Sequence, residues 1–226
     1  VKTVDDAGLL FSVITSNKPI DLEHKAIERG RLAILKGTAL DDLQQKPALA
    51  FEASVKALSN FGFKIKEIEI GEVESALALS GLVYPSEAYA EWKDKIEAAP
   101  ELMYGEILQR FRGGKDVLAS EYLKAMRDLE IFKKQYAAKC SEFDGVILPT
   151  CPIMPPNLER LESDNGYYVS QNLMALRNTR IGNLMGICSL TIPTNYNSCG
   201  LSIMALPNRE EKLLRLGKAA EMAILK

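Results

Sequence analysis

The sequence predicts an α/β fold with a mixed, partly parallel sheet covered by helices. Three observations carry that expectation. An apolar run, a helical stretch and a second apolar run follow one another across residues 30–70. Three more apolar runs, each stopped by a proline, crowd the last third of the chain. Helical periodicity fills much of what lies between. Strand, helix and strand in that order form a βαβ-like unit, whose strands pair in parallel.

The elements follow in order. Thr3, with Asp6 three residues on, makes a capping-box-like start in which the hydroxyl can accept a backbone N–H the helix leaves unpaired. Val4, Ala7, Phe11 and Ile14 continue at helical spacing, and Asn17-Lys18-Pro19 ends the helix. Residues 30–35 form a glycine-bounded strand. Pro47, Phe51, Ser54, Leu58 and Phe61 step by four and three along one helix face. Pro47 is tolerated in the first turn, and Gly62 is placed as a C-cap. Phe63, Ile65, Ile68 and Ile70 read as the next strand, although Lys66-Glu67 breaks strict alternation.

From residue 72 to about 114 the composition is helical, with a break expected at Tyr84-Pro85 and a loop at Arg112-Gly113-Gly114. That glycine pair lacks the G-x-x-x-x-G-K-[ST] frame of a phosphate cradle and reads as a plain loop. A long helix begins after Ser120. Its stripe of Tyr122, Ala125, Leu129, Phe132 and Tyr136 reads as core, and Glu130 can pair with Lys134 across a turn. Residues 145–149, 189–193 and 201–207 are strands, each leaving the sheet at a proline that cannot donate to a ladder. A long irregular stretch, starting with the proline-rich residues 149–156, separates the first two. Asn208 is placed to cap a final helix whose first turn carries Glu210 and Glu211 against the positive end of its dipole.

Composition narrows the function. The 226 residues are 47% hydrophobic, enough for a core without staples. The 28 basic side chains against 30 acidic ones argue against a nucleic-acid binder. No apolar run approaches the roughly 18 residues of a membrane span. Asp5 and Asp6 stand where a signal peptide would be basic, and Val1 in place of an initiator Met suggests a start inside a longer gene product. Cys140, Cys151, Cys188 and Cys199 show no CxxC spacing, so free thiols in a reducing cytoplasm are expected, with Cys151 and Cys188 as small buried hydrophobes. His24, the one histidine, lies in a charged stretch and reads as a surface residue. That count removes most histidine-dependent hydrolase chemistry and starves a Cys/His zinc site.

The last third carries more. Phe143-Asp144-Gly145-Val146-Ile147-Leu148-Pro149-Thr150-Cys151-Pro152 resembles the fD-x-x-l-x-P-T-x-P segment of the amidase signature family. The stretch from Arg177-Asn178-Thr179 through Asn183 and Gly186 to Pro193 is similar to that family's T-x-x-x-N-l-x-G-x-x-a-x-x-x-P segment. Residues 201–221, ending in Glu221, resemble its closing segment, and Val4-Asp5-Asp6-Ala7 resembles the V-e-D-a helix that follows its catalytic region. Where the family has P-v-G near the last strand, this chain has Ser202-Ile203-Met204, which would change a pocket wall.

The resemblance implies that residues 1–226 form the C-terminal part of an amidase-signature domain. Residues 1–140 would be a strand- and helix-rich, insert-bearing half, and 141–226 would carry short strands, pocket loops and the closing helix. It implies hydrolysis of carboxamides to a carboxylic acid and ammonia or amine, with no metal or organic cofactor. In that family a serine nucleophile is activated by a second serine and a lysine, carried by a Gly/Ser-rich region upstream of the V-e-D-a helix. A desolvated lysine relayed through a hydroxyl can supply the base that serine needs. This chain has no such tract and no two adjacent serines, so it offers no catalytic residue and is expected to be silent alone.

By the same resemblance the loop around Ser86 to Tyr89 and the turn holding Thr179 and Asn183 approach the acyl pocket and are the substrate-pocket candidates. Their competing reading is structural, since short polar side chains satisfy buried backbone groups. Asp144 reads as a turn or cap acceptor at a strand start. The implied partners are a small amide substrate and the N-terminal half of the same enzyme, with no nucleic acid and no membrane, and a homo-oligomer left open. The alternatives are a non-catalytic domain that binds a small molecule or partner, and a fragment whose bare sheet edge self-associates.

Overall fold

Along β1 (Arg31–Leu35), Leu32 and Ile34 join one buried apolar cluster while Ala33 and Leu35 join another. β3 (Gly145–Pro149) repeats the pattern, with Ile147 on the first side and Val146 and Leu148 on the second. Strands buried on both faces belong at the centre of a sheet with helices above and below. The computed structural model, which describes residues 1–22, 27 and 30–225, has that arrangement. His24 lies outside the described residues.

The sheet has the order β2-β1-β3-β5-β4, completed by β2 (Lys64–Ile68), β4 (Cys188–Pro193) and β5 (Gly200–Ala205). β1 runs parallel to β2, from Arg31 opposite Lys64 to Leu35 opposite Ile68, and parallel to β3. β5 is antiparallel to β3, with Val146 opposite Met204, and β4 is antiparallel to β5. The sheet is therefore mixed, and β2 and β4 are its edges.

One face is covered by α1 (Val4–Thr15), α2 (Gln45–Phe61) and α9 (Glu210–Ile224). The other is covered by α3 (Gly71–Ala98), α5 (Ala119–Cys140) and α8 (Arg177–Met185). α4 (Gly105–Arg112), α6 (Leu158–Ser163) and α7 (Asn165–Ala175) stand beside the second layer. No helix among the described residues is long and apolar enough to cross a membrane.

The first layer follows the sequence closely. The Thr3 hydroxyl accepts the Asp6 amide at 3.1 Å and caps α1. The Val4 amide, another donor that the helix start leaves over, goes to the buried Glu221 carboxylate at 2.9 Å and ties α1 to α9. Pro47, Phe51, Ser54 and Leu58 form the buried face of α2, and Gly62 ends it at φ +118°, where a side chain would be strained.

The second layer departs from expectation. α3 does not break at Tyr84-Pro85 but runs through as 28 residues. Pro85 has no N–H for the Gly81 carbonyl, yet the helix continues, and another piece of backbone packs closely against it there. Arg112-Gly113-Gly114 is not a free loop either: Gly113 opens a 3-10 turn (Gly113–Asp116), and Gly114 sits against the Pro85 carbonyl. A methyl group on Gly114 would collide with that carbonyl and lie 2.7 Å from the Ser86 amide nitrogen. Ser86 and Tyr89 therefore stand on a helix, not on a loop.

The long stretch between β3 and β4 is also mostly helical, forming α6 to α8, so Thr179 and Asn183 lie on α8 rather than in a turn. Smaller corrections have local causes. Ile14 is 72% exposed because α1 buries Val4, Gly8 and Ser12 instead. Glu130 pairs with Lys133 at 2.7 Å, one residue nearer than Lys134. Asn208 has φ +60° and lies outside α9, which Arg209 precedes. Cys151 and Cys188 are half-buried, and the four cysteines are free.

Gly114→Ala is expected to destabilise the protein by about 1–3 kcal/mol in urea unfolding, because backbone must move to admit the methyl. Gly113→Ala, with open space around it and right-handed helical backbone, should be neutral or slightly stabilising.

Candidate functional site

α8 is short, and its two faces have different tasks. Asn178, Ile181, Gly182 and Met185 recur at helical spacing on the buried side. Asn178 is fully buried, and its amide nitrogen donates to the Ala39 carbonyl at 3.0 Å and the Pro149 carbonyl at 2.7 Å. Ala39 closes the 3-10 turn after β1, and Pro149 is the last residue of β3. One side chain thus spends both amide donors pinning α8 to the turn after β1 and to the end of β3. Its oxygen accepts from Arg177 Nε at 3.3 Å, and Arg177 also bonds the Asp41 carbonyl.

With Asn178 turned inward, Thr179, Arg180 and Asn183 turn outward onto a cavity of about 440 Å³ between α3, α4 and the α7–α8 pair. Tyr84, Pro85, Ala88, Phe111, Leu173 and Leu176 supply its apolar wall. Arg110 and Arg180 supply its charge. Arg110 Nη1 donates to Asn172 Oδ1 at 2.8 Å, and Arg180 Nη2 donates to the Leu173 carbonyl at 2.6 Å. Among the described residues neither arginine pairs with a carboxylate.

Burial pulls Arg180 below its ordinary pKa, with Tyr84 opposing and the like charge of Arg110 adding to the fall. Burial likewise pushes the Tyr84 phenol up, against the pull of Arg180. The Tyr84 hydroxyl is buried and has no hydrogen-bond partner among the described residues.

Two of the four residues singled out from the sequence meet at this cavity. Thr179 lines it while its hydroxyl donates to the Leu176 carbonyl at 3.1 Å, and Asn183 lines it beside Arg180. Ser86 is turned into its own helix, donating to the Leu82 carbonyl at 2.7 Å. Tyr89 lies in a separate shallow depression with Lys93, Asp94 and Glu97. Sequence reading passed over Tyr84, Arg110, Asn178 and Arg180. The signal for Asn178 was present, since it leads the Ile181, Met185 periodicity. The arginines are adjacent only in space.

A second cleft, of about 460 Å³, opens between the start of α1 and the ends of β3, β4 and β5. Two hydroxyls of its lining, those of Thr150 and Thr191, meet the hydroxyl of the buried Ser202. Thr150 Oγ1 lies 2.8 Å from Ser202 Oγ and 3.4 Å from Thr191 Oγ1, and Thr191 lies 3.3 Å from Ser202. Ser202, the departure from the family pattern, is thus a buried member of a hydroxyl cluster. No hydrogen bond among the described residues joins a lysine to a serine or threonine. Lys139, for instance, meets Glu72 at 2.7 Å, and the Ser54 hydroxyl donates to the Ala50 carbonyl at 2.7 Å. No group of three His, Cys, Asp or Glu side chains suited to a metal is found among the described residues.

Asp144 takes the acceptor role at the start of β3. Its Oδ2 accepts the Arg31 amide at 2.7 Å and its Oδ1 meets Lys212 at 2.6 Å. Burial pushes its carboxyl up, but the Lys212 ammonium and the Arg31 amide outweigh burial and hold it below its ordinary value. The stabilisation is therefore complete above the unfolded carboxyl value near pH 4 and is lost as pH falls through the lower folded value. Asp144→Asn should remove that part of the acid-side decline in melting temperature. Asn178→Ala leaves two buried carbonyls without donors and should cost about 2–4 kcal/mol in chemical denaturation.

Comparison with known proteins bears on this geometry. A family model described as Amidase matches residues 1–214. The 2-amino-5-chloromuconic acid deaminase of Comamonas testosteroni is 26% identical over 231 residues, covering 99% of this chain and 50% of that protein. A glutamyl-tRNA(Gln) amidotransferase subunit of Sulfurisphaera tokodaii is 27% identical over 261 residues, covering 95% of this chain and 54% of that protein. Among solved structures, Kluyveromyces lactis allophanate hydrolase superposes with a TM-score of 0.84 at 19% identity, over 99% of this chain and 39% of that one. The chain spans about half the length of the curated relatives it matches. A mixed sheet between two helical layers and a family match running from Val1 almost to the chain's end lead to one conclusion: this chain belongs to the Amidase family.

Proposed function

We propose that this chain is the substrate-shaping half of an enzyme that hydrolyses carboxamide C–N bonds, with the serine–serine–lysine group supplied by a preceding region. The observation that carries this reading is the outer face of α1. Leu9, Leu10, Val13 and Ile14 are 61%, 47%, 68% and 72% exposed, an apolar surface of the kind that marks a contact with further protein. The edge of β4 supports it as well, since among the described residues it pairs on one side only and an unpaired edge is a template for pairing. The C–N bond chemistry named for the deaminase and for the amidotransferase supports the reaction class.

In this reading the serine oxygen attacks the amide carbon, the amine leaves with a proton relayed from the lysine side, and water then releases the acid. The residues of this chain bind and orient. The α3–α4–α8 cavity holds the acyl body against Tyr84, Phe111 and Leu176, and the outward face of α8 selects among acyl groups. The free thiols fit a cytoplasmic setting.

A second reading, a non-catalytic module that binds a small molecule, is favoured by the cavity being built wholly from this chain. Ammonia release decides between them. The 226 residues alone should release none above buffer from simple carboxamides, whereas the polypeptide that includes the preceding region should turn over. Turnover by the 226 residues alone would contradict the proposal, and an inert longer polypeptide would favour the binding module.

A further inference from the structure

We propose that the α3–α4–α8 cavity recognises a carboxylate carried by the substrate's acyl group, held between Arg110 and Arg180. The inference rests on reading this cavity as the acyl-side wall of the substrate site. Two guanidinium groups line one partly apolar cavity, and no described carboxylate pairs with either. Each is instead steadied by a neutral acceptor at the C-terminal end of α7, Asn172 Oδ1 for Arg110 and the Leu173 carbonyl for Arg180. Each guanidinium fork is thereby fixed with donors to spare.

Like charges held together without an anion raise the energy of the empty site, and an incoming anion relieves it. Two acids stand nearby, but Glu87 accepts from the Tyr122 hydroxyl at 3.0 Å, Glu106 on α4 accepts from the Asn165 amide at 2.8 Å, and neither lines the cavity. The buried Tyr84 hydroxyl, without a partner among the described residues, adds a further donor beside Arg180. A carboxylate is the anion that matches a guanidinium fork and can also be part of an acyl group with an apolar body. The cavity's size suits one such small molecule, with the body lying against Phe111 and Leu176.

The test is calorimetric titration of the full chain with 3-phenylpropanoate and with its uncharged isostere, 3-phenylpropanamide. The carboxylate should bind at least about tenfold more tightly, and less so in high salt. Arg110→Gln and Arg180→Gln should each weaken it about tenfold, Arg180→Lys should retain part of it, and Tyr84→Phe should cost a few-fold. Equal affinity for acid and amide, no binding of either, or arginine variants that bind as the native chain does would overturn the proposal. Should the arginine variants fail to fold, the acid–amide contrast in the native chain decides alone.

Turnover in the longer polypeptide separates this inference from the reading beneath it. Equal kcat/KM for neutral and carboxylate-bearing amides would overturn the inference and leave amide cleavage standing. An inert polypeptide that still prefers the acid would do the reverse.

Discussion

Two hydrogen bonds from the Asn178 amide hold the site in place. A fully buried amide is tolerated in a core only when its donors are matched, and here the matches are the Ala39 carbonyl in the 3-10 turn after β1 and the Pro149 carbonyl at the end of β3. The bonds fix both the position of α8 along the sheet and its rotation. A helix turns about 100° per residue, so a slip of one position would carry Thr179 inward and an apolar residue outward. The outward display of Thr179, Arg180 and Asn183 is thus a consequence of what Asn178 does on the inside.

The opposite wall of the cavity has a different origin. α3 carries a proline where most helices would end, and the close approach of Gly114 keeps the two backbones together there. α4 and the turn after it lie against α3, with Arg110 and Phe111 lining the cavity together with α8. The face built from α1, α2 and α9 takes no part in this cavity. Its defining contact is the Val4 amide on Glu221, which presents the apolar side of α1 outward.

Much of this was legible in the sequence where local chemistry decides the outcome. Thr3 as a cap, Gly62 as a helix end, the β1-α2-β2 unit and the family segments all depend on residues close together in the chain. Pro85 reads locally as a break, yet α3 runs through it, beside a close contact with Gly114 far along the sequence. α7 and α8 were hidden because Asn165, Asn172, Arg177 and Asn178 make them polar, and their stability comes from docking rather than periodicity. Of the four pocket candidates, Thr179 and Asn183 come from a family segment and line the α3–α4–α8 cavity, whereas Ser86 and Tyr89 stand on a helix where the sequence suggests a loop. Arg110 and Arg180 could not be joined without the fold that brings α4 and α8 to one cavity.

Amide hydrogen exchange on the native chain and on Asn178→Ala tests the clamp most directly. The account predicts a selective loss of protection in α8 and at the ends of β1 and β3, with α1 and α9 unchanged. Protection that is unchanged in α8, or lost evenly across both helical layers, would contradict it.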